Sequence, residues 1–320
     1  MADARSDDDG PPDLEAARLR ARMLSTVFQR PAETVTIGRF EIVRRIGAGA
    51  MGLVYEVLDP RSGERLALKT LRSQNPRLLS LFKKEFRALT RVIHPNLIAL
   101  HELGRDGPHH FFTMELVRGA TLARHLWGAE VHEPIGDDLP PSPVLDFERL
   151  RACLSQLAAA VAALHDAGKL HRDIKPSNVM VTAEGRVVLM DFGFVSEHGV
   201  GLLESTQGSM VVGTPAFMAP EQSRGERLGP AADWYSVGAT LYHILTGHPP
   251  FADLSLTEAL LRKESQPPPS PRLLARGIPA DLADLALALL HPDPAARPSE
   301  PAVLARLRAA VGRDAPLAVT

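Results

Sequence analysis

The chain is short of cysteine, of long apolar runs and of any surplus of charge. Its 320 residues contain one cysteine, Cys153, which excludes an internal disulfide. No apolar stretch reaches the roughly 18 residues that a membrane-spanning helix needs, so no membrane span is predicted. The 36 basic and 38 acidic residues give a net charge of −2. This near balance argues against a nucleic-acid partner, because nucleic-acid binders usually carry a basic surplus.

The composition that remains is typical of a globular protein. Hydrophobic residues make up 45% of the chain and charged residues 23%, and the length suffices for two lobes with separate cores. The acidic start of the chain differs from a secretory signal peptide, and we expect a cytoplasmic location. Cys153 lies in an apolar helical pattern, which predicts a buried and inert thiol.

Three segments are expected along the chain. Residues 1–36 are predicted to be a flexible tail, with a short amphipathic helix as the alternative, and residues 313–320 a second tail. Between them, residues 37–312 change from short β-like runs and one helical stretch at 77–93 to a mostly helical pattern after Gly119. The proline-rich stretch 128–147 is predicted to be an inserted loop.

One run carries most of the chemical information. Residues 171–178 read His-Arg-Asp-Ile-Lys-Pro-Ser-Asn, and Asp-Phe-Gly follows at 191–193. The run places the carboxylates of Asp173 and Asp191, the amide of Asn178 and the amine of Lys175 at fixed spacing. Carboxylate and amide oxygens suit magnesium, and an amine suits phosphate. This set can hold magnesium, a triphosphate and an acceptor hydroxyl together.

A second motif, at residues 47–52, is rich in glycine. It reads Gly-Ala-Gly-Ala-Met-Gly and lies between two β-like runs. Taken alone the pattern is weak, because it could also open a helix in a dinucleotide-binding unit. A strand is predicted after it, however, which favours a loop whose backbone N–H groups cover phosphates.

Together these motifs resemble the protein kinase superfamily, and specifically the bacterial eukaryotic-like (Hanks-type) serine/threonine protein kinases, over residues 38–310. The resemblance implies an α+β bilobal fold. The N-lobe, 37–117, would be a small antiparallel β-sheet with one major helix, and the C-lobe, 118–312, mostly helical. Ala-Pro-Glu at 219–221 resembles the end of an activation segment, Arg297 the arginine that pairs with its glutamate, and Asp233 the anchor of the catalytic loop.

The resemblance also implies the catalytic roles. Asp173 would accept the proton of the substrate hydroxyl, and Lys175, which marks serine/threonine kinases, would contact the transferred phosphate. Lys69 would contact the α- and β-phosphates of ATP and pair with Glu85, for which Glu102 is the competing carboxylate.

The implied cofactors are ATP and Mg²⁺, with Mn²⁺ as an alternative. Asn178 and Asp191 would be the metal ligands. The other residues expected to bind ATP are Gly47, Ala48, Gly49, Ala50, Met51, Gly52, Val54, Ala67, Met114, Glu115, Val117 and Met180.

Regulation and partners are likewise implied. Arg172 would bind a phosphate on the activation segment, with autophosphorylation at Thr206 or Ser209, and Thr214 would bridge to the catalytic aspartate and lysine. The partners would be proteins bearing serine or threonine, with a transient homodimer for phosphorylation in trans. Two alternatives remain: small-molecule phosphotransfer on a similar fold, and a pseudokinase scaffold. The retained Lys69, Asp173 and Asp191 argue against the scaffold.

Overall fold

The computed structural model describes residues 34–49, 52–71, 76–128, 145–191 and 214–311, together with Leu14, Arg20, Met23 and Leu24. The chain folds as two compact units. The small unit contains the residues before Val92 and the segment Ala99–Leu116. The large unit contains Val92–Ile98 and the chain from Val117 onward.

The small unit is built on a six-stranded antiparallel sheet in the order β1-β2-β3-β4-β6-β5. Its core collects apolar side chains from one face, including Tyr55, Val57, Leu66 and Leu68. Leu14 packs against this core, although the tail that contains it is predicted to be flexible. The strands are β1 Thr36–Ile37, β2 Phe40–Gly49, β3 Gly52–Leu58, β4 Arg65–Leu71, β5 Leu100–Asp106 and β6 His109–Glu115.

One helix, α1 Pro76–Leu89, accompanies this sheet. Its buried residue Phe86 packs on Phe112 of β6, with ring centroids 5.8 Å apart. The helix ends four residues earlier than its pattern predicts. Thr90 caps the last turn, donating its backbone N–H to the carbonyl of Phe86 at 2.9 Å. The residues before Pro95 cannot easily continue a helix, because proline disfavours helical backbone at the preceding position.

The large unit is mostly helical and carries a three-stranded sheet in the order β7-β8-β9. These strands are β7 Gly119–Thr121, β8 Val179–Thr182 and β9 Val187–Leu189. The described helices are α2 Leu122–Trp127, α3 Phe147–Asp166, α4 Thr214–Phe217, α5 Pro220–Ser223, α6 Pro230–Thr246, α7 Leu256–Ser265, α8 Pro271–Leu274, α9 Ala280–Leu289 and α10 Glu300–Val311. Two short 3₁₀ turns, Pro176–Asn178 and Pro294–Ala296, complete the described elements.

Helix α6 is the core of the large unit, because nearly all of its side chains from Ala232 onward are buried. Gly238 lets α9 approach closely: a Cβ atom there would lie 2.6 Å from Cβ of Leu289. Helix α3 begins at the cap Asp146, whose side chain accepts the N–H of Arg149 at 3.0 Å. Buried α6 and capped α3 frame the segment that carries the functional residues.

The predicted fold class, a small antiparallel sheet with one major helix beside a mostly helical unit, is confirmed. Cys153 is buried as predicted, and burial raises the pKa of its thiol to about 11. Within the described ranges, no helix is both long and apolar enough to cross a membrane. Most of the predicted insert, residues 129–144, lies outside the described residues.

Candidate active site

The loop 169–175 is anchored by a carboxylate from the buried helix α6. Asp233, 1% exposed, accepts the backbone N–H of His171 through Oδ2 and that of Arg172 through Oδ1, each at 2.8 Å. Arg172 has a φ of 68°, which costs a non-glycine residue about 1–3 kcal/mol. Two hydrogen bonds to a charged acceptor offset that cost and fix the loop just before Asp173.

Gln222 holds the other polar group of the same peptide unit. Its side-chain Nε2 donates to the carbonyl oxygen of Arg172 at 2.8 Å. Gln222 is buried on α5, directly after Ala-Pro-Glu at 219–221. Both backbone groups of Arg172, the N–H and the carbonyl, are therefore bound by side chains from elsewhere in the chain.

His165 extends this anchor to the last helix. Its Nε2 lies 2.9 Å from Oδ2 of Asp233, and its Nδ1 lies 3.2 Å from Oε2 of Glu300 on α10. Burial acts to lower the pKa of His165, but hydrogen bonds and attraction from Asp233 and Glu300 outweigh it and raise the pKa. The imidazolium has two N–H donors, one for each carboxylate.

Three of the predicted catalytic side chains meet at Asp173. Lys175 Nζ lies 2.9 and 3.1 Å from the two carboxylate oxygens of Asp173. Asn178 donates Nδ2 to Oδ2 of Asp173 at 3.0 Å and to its backbone carbonyl at 2.8 Å. The Asp173 carboxylate is about one-quarter exposed, at 23%. It is thus held in orientation while one side remains open to an incoming group.

The two predicted metal ligands lie on adjoining stretches of chain. Met190 donates its N–H to the carbonyl of Asn178 at 2.8 Å, which brings the residue before Asp191 next to Asn178. Because Asn178 uses its amide N–H₂ on Asp173, its amide oxygen has no partner within the described residues. A carboxylate and an amide oxygen are hard donors, so this pair fits magnesium.

His171 ties the loop to the stretch before Asp191. The imidazole is fully buried, and its Nε2 lies 2.9 Å from the carbonyl of Met190. Burial lowers the pKa of His171, so the ring is neutral and Nε2 carries the donated hydrogen. Asp191 has a φ of 53°, and Phe192 and Gly193 lie outside the described residues.

The glycine-rich motif forms the tip of a β-hairpin in the small unit. Gly47 pairs with Val54, Ala48 with Leu53 and Gly49 with Gly52, so β2 and β3 continue to the motif itself. A strand rather than a helix follows, which excludes the dinucleotide-binding alternative. A Cβ atom at Gly52 would lie 1.7 Å from the carbonyl oxygen of Thr70, so the tip approaches β4 closely.

The predicted ATP-binding residues of the small unit share one face of the sheet. Lys69 pairs with Val54, and Ala67 pairs with Met114. Paired residues of antiparallel strands point to the same side, and residues two apart in β4 do so as well. The intervening Leu68 belongs to the apolar core on the opposite face. This face therefore presents a lysine among apolar side chains, which suits a phosphate beside a planar base.

The two carboxylates considered as partners of Lys69 occupy different elements. Glu85 falls on α1, and its side chain lies outside the described residues. Glu102 falls on β5 and binds Arg39 at 2.7 and 2.8 Å, while Arg39 also binds Asp59. Glu102 is thus committed to a surface ion pair, and Glu85 remains the candidate partner.

The remaining predicted site residues are distributed as follows. Glu115 lies at the end of β6, whereas Met180 on β8 and Val117 belong to the large unit. Thr214 begins α4, but its side chain is outside the described residues. The residues wholly outside them are Ala50, Met51, Thr206 and Ser209.

The predicted pair between Glu221 and Arg297 is present and buried. Arg297 donates from both terminal nitrogens to the two carboxylate oxygens, at 2.6 and 2.8 Å, with side-chain exposures of 0% and 5%. Its remaining N–H groups bind the carbonyls of Ala231, His291 and Pro292. Since all five donors of the guanidinium are used, the pair holds α5 firmly to the turn before α10.

Sequence reasoning missed Gln222, His165 and a buried lysine on α7, Lys263. Gln222 had a usable signal, because it directly follows the Ala-Pro-Glu landmark. His165 and Lys263 had none, since histidine near a helix end and lysine on a helix are most often solvated.

The chain belongs to the protein kinase domain family, whose profile matches residues 40–307. It is 34% identical over 277 residues to the serine/threonine-protein kinase PknA of Mycobacterium tuberculosis, covering 83% of this chain and 60% of PknA. It is also 34% identical to the DNA damage-responsive serine/threonine-protein kinase RqkA of Deinococcus radiodurans, covering 88% of this chain and 41% of RqkA. The chain thus spans about 60% or less of the length of these two relatives.

A solved structure shows the same fold. The kinase domain of Mycobacterium tuberculosis PknI superposes with a TM-score of 0.64 at 27% identity. The match covers 88% of this chain and 99% of that domain. The arrangement of a curled antiparallel sheet and a helical unit is therefore that of a protein kinase.

Proposed function

We propose that the protein is a serine/threonine protein kinase, which transfers the γ-phosphate of ATP to serine or threonine hydroxyls of protein substrates. The observation that carries the proposal is the Asp173 carboxylate, oriented by Lys175 and Asn178 on a loop fixed by Asp233. The naming of PknA and RqkA as serine/threonine-protein kinases supports the same class.

The roles follow from the chemistry of phosphoryl transfer, which needs positioning and charge neutralisation more than covalent catalysis. The acceptor oxygen forms a bond to the γ-phosphorus as the bond to the β–γ bridging oxygen breaks, and the acceptor proton passes to Asp173. Lys175, already beside Asp173, neutralises charge on the transferred group. Lys69 contacts the α- and β-phosphates.

Asn178 and Asp191 would hold Mg²⁺, which when bound would neutralise charge on the ATP phosphates; Mn²⁺ is the alternative. The amide oxygen of Asn178 is available for this because its N–H₂ group is used by Asp173. Protein substrates, autophosphorylation at Thr206 or Ser209 with Arg172 as the phosphate contact, and a transient homodimer are part of the proposal. The cytoplasmic location stays a prediction.

The test compares the parent chain with Asp173→Asn and Lys69→Met, using labelled ATP, Mg²⁺ and a generic protein substrate. Loss of a positioned general base lowers kcat about 10²- to 10⁴-fold, so Asp173→Asn should lose almost all incorporation while still binding ATP. Equal incorporation by the parent and Asp173→Asn would refute the assignment. An inactive parent that binds ATP would identify a scaffold instead.

The same assay addresses small-molecule phosphotransfer. ADP production should rise on addition of protein and stay at background with amino sugars or amino alcohols. The buried pair of Glu221 and Arg297 supports the protein kinase reading, because antibiotic kinases of similar fold generally lack the segment from 213 to 221. Stimulation by a small alcohol alone would favour that other class.

A further inference from the structure

Lys263 on α7 is a buried lysine without an acidic partner. It is 1% exposed, while its neighbours Arg262 and Glu264 are exposed. Within the described residues, no carboxylate lies at ion-pair distance from its ammonium group. Lysine is almost never fully buried unless paired, so another interaction must compensate its lost hydration.

Three backbone carbonyls provide that compensation. Lys263 Nζ donates to the carbonyl oxygens of Pro215 at 2.7 Å, Ala216 at 2.7 Å and Met218 at 3.3 Å. These carbonyls belong to α4 and the residue after it, where a short helix leaves its carbonyls without intrahelical partners. The three N–H donors of one ammonium group thus match three acceptors of one segment.

The intervening carbonyl is also bound. Ser236 of α6 donates its hydroxyl to the carbonyl oxygen of Phe217 at 2.9 Å. All four carbonyls from Pro215 to Met218 therefore have a side-chain donor from a neighbouring helix. The segment 215–218 is held by its backbone, while the side chains of Ala216, Phe217 and Met218 are half-buried at the surface.

This segment adjoins the catalytic loop along the chain and in space. It follows Thr214, and four residues after Met218 the side chain of Gln222 contacts the carbonyl of Arg172, next to Asp173. A peptide whose hydroxyl reaches Asp173 must pass over chain close to that point. The backbone from 214 to 218 is the described stretch that leads to this contact from outside the loop.

We propose that Lys263 is a positioning residue for the protein acceptor, and that it holds the segment 215–218 in the shape on which the residues flanking the acceptor serine or threonine dock. The inference rests on the proposed kinase function. Lys263 touches neither ATP nor the acceptor, and it acts through the backbone carbonyls that it binds.

The charge on Lys263 matters to this role. The ammonium form supplies three N–H donors, whereas a neutral amine supplies two and turns a lone pair toward a carbonyl oxygen. Burial lowers the pKa of Lys263 to about 7, so the amine titrates near neutral pH. The segment should therefore be held less firmly as the pH rises above 7.

The groups around Lys263 are few. From α5, Glu221 is engaged with Arg297, and from α6 the ring of Tyr235 lies 5.9 Å from Lys263 Nζ. The guanidinium of Arg297 lies over the same ring, 4.9 Å from its centroid. On α7 itself, Arg262 and Glu264 point to solvent. A variant that removes only the Lys263 amine distinguishes its titration from theirs.

The kinetic test uses Lys263→Met in the full chain, with Arg262→Met as the matched control that removes a cation from the exposed side of the same helix. We expect Lys263→Met to raise KM for the protein acceptor about tenfold, with KM for ATP unchanged. Between pH 6 and 8.5 the acceptor KM of the parent should rise, and that of Lys263→Met should stay flat. Arg262→Met should behave as the parent.

Ser236→Ala provides a second variant should Lys263→Met fold poorly. It removes the donor to Phe217 and should raise the acceptor KM while keeping its pH dependence. An unchanged acceptor KM in Ser236→Ala together with a flat pH profile in the parent would overturn the proposal. So would an equal loss in ATP and acceptor parameters, which indicates general damage.

Hydrogen–deuterium exchange of residues 214–223, measured without substrate, separates this inference from the proposed function. Protection of these amides, corrected for intrinsic exchange, should fall with rising pH in the parent and be low at all pH values in Lys263→Met. Unchanged protection in Lys263→Met refutes the positioning role even in an active kinase. A protection change in a parent that phosphorylates no protein refutes the kinase function, and the acceptor role with it.

Discussion

At the scale of single residues, the candidate site depends on two strained backbone positions. Arg172 and Asp191 have φ angles of 68° and 53°, and they flank or carry the acidic groups. Such residues persist only where their surroundings compensate the strain. For Arg172 the compensation is complete, with the N–H bound by Asp233 and the carbonyl by Gln222.

Gln222→Met should therefore slow catalysis without weakening nucleotide binding. The variant keeps the volume of the side chain but removes the donor to the Arg172 carbonyl, so Asp173 loses part of its alignment. We expect kcat to fall roughly 10- to 100-fold with KM for ATP unchanged. Steady-state kinetics will measure this, and Gln266→Met, at an exposed glutamine, serves as the control. An unaltered kcat would show that Asp233 alone fixes the loop.

At the scale of secondary-structure elements, the helices of the large unit are joined by buried polar contacts as well as by apolar packing. Arg297 holds α5, and Lys263 joins α7 to α4. Arg151 of α3 binds Asp281 of α9 at 3.0 Å. Each contact satisfies a group that would otherwise be buried without a partner, so each fixes the register of one element against another.

Removal of one member of the buried pair should be costly. In Arg297→Met the carboxylate of Glu221 stays buried without its guanidinium, and the free energy of unfolding should fall by about 3–5 kcal/mol. Adding Glu221→Gln should restore part of this loss, because no charge is then left buried. Denaturant titration of both variants tests this. A loss of less than about 1 kcal/mol in the single variant would contradict it.

The contact of α6 with α9 gives a prediction of the opposite kind. Alanine is the better helix former by about 1 kcal/mol, so Gly238→Ala would stabilise an isolated helix. Here the new methyl group would lie 2.6 Å from Cβ of Leu289, and overpacking costs about 1–3 kcal/mol. We expect a net loss of stability, measured by thermal unfolding. A rise in Tm would show that α9 moves away at little cost.

At the scale of the whole molecule, buried histidines oppose one another in the pH dependence of stability. His243 packs between Trp127 and Phe217, and burial lowers its pKa to about 4. The unfolded chain therefore binds a proton below about pH 6.5 that the native state does not, and stability falls as the pH drops from 6.5 toward 4. His165, whose pKa is raised, contributes stability below pH 6.5 that is lost as the pH rises through its folded value.

His243→Phe should make the protein less sensitive to acid. The ring contacts are kept while the titrating group is removed, so the loss of unfolding free energy between pH 7 and pH 5 should shrink by about 2 kcal/mol. Chemical denaturation at both pH values measures the difference. His101→Phe, at an exposed histidine, should leave the loss unchanged. The same loss in His243→Phe as in the parent would assign the acid sensitivity to other groups.

Prediction from sequence succeeded where a feature is local. The strands, most helices and the grouping of Asp173, Lys175 and Asn178 follow from residues close together in the chain. The end of α1 was placed too late, because a helical pattern does not show where capping at Thr90 stops it. The strand predicted from Leu97 begins at Leu100, since Leu97 pairs with Leu189 of the large unit.

By itself, the sequence determined the order of elements, the family and the chemical groups that stand at the candidate site, because these depend on spacing within short runs. Only the tertiary structure decided which polar groups meet across long separations. Gln222 reaches Arg172 over 50 residues, Lys263 reaches Pro215 over 48, and Glu300 reaches His165 over 135. A buried polar side chain must find a partner, but topology and not local pattern brings that partner within reach.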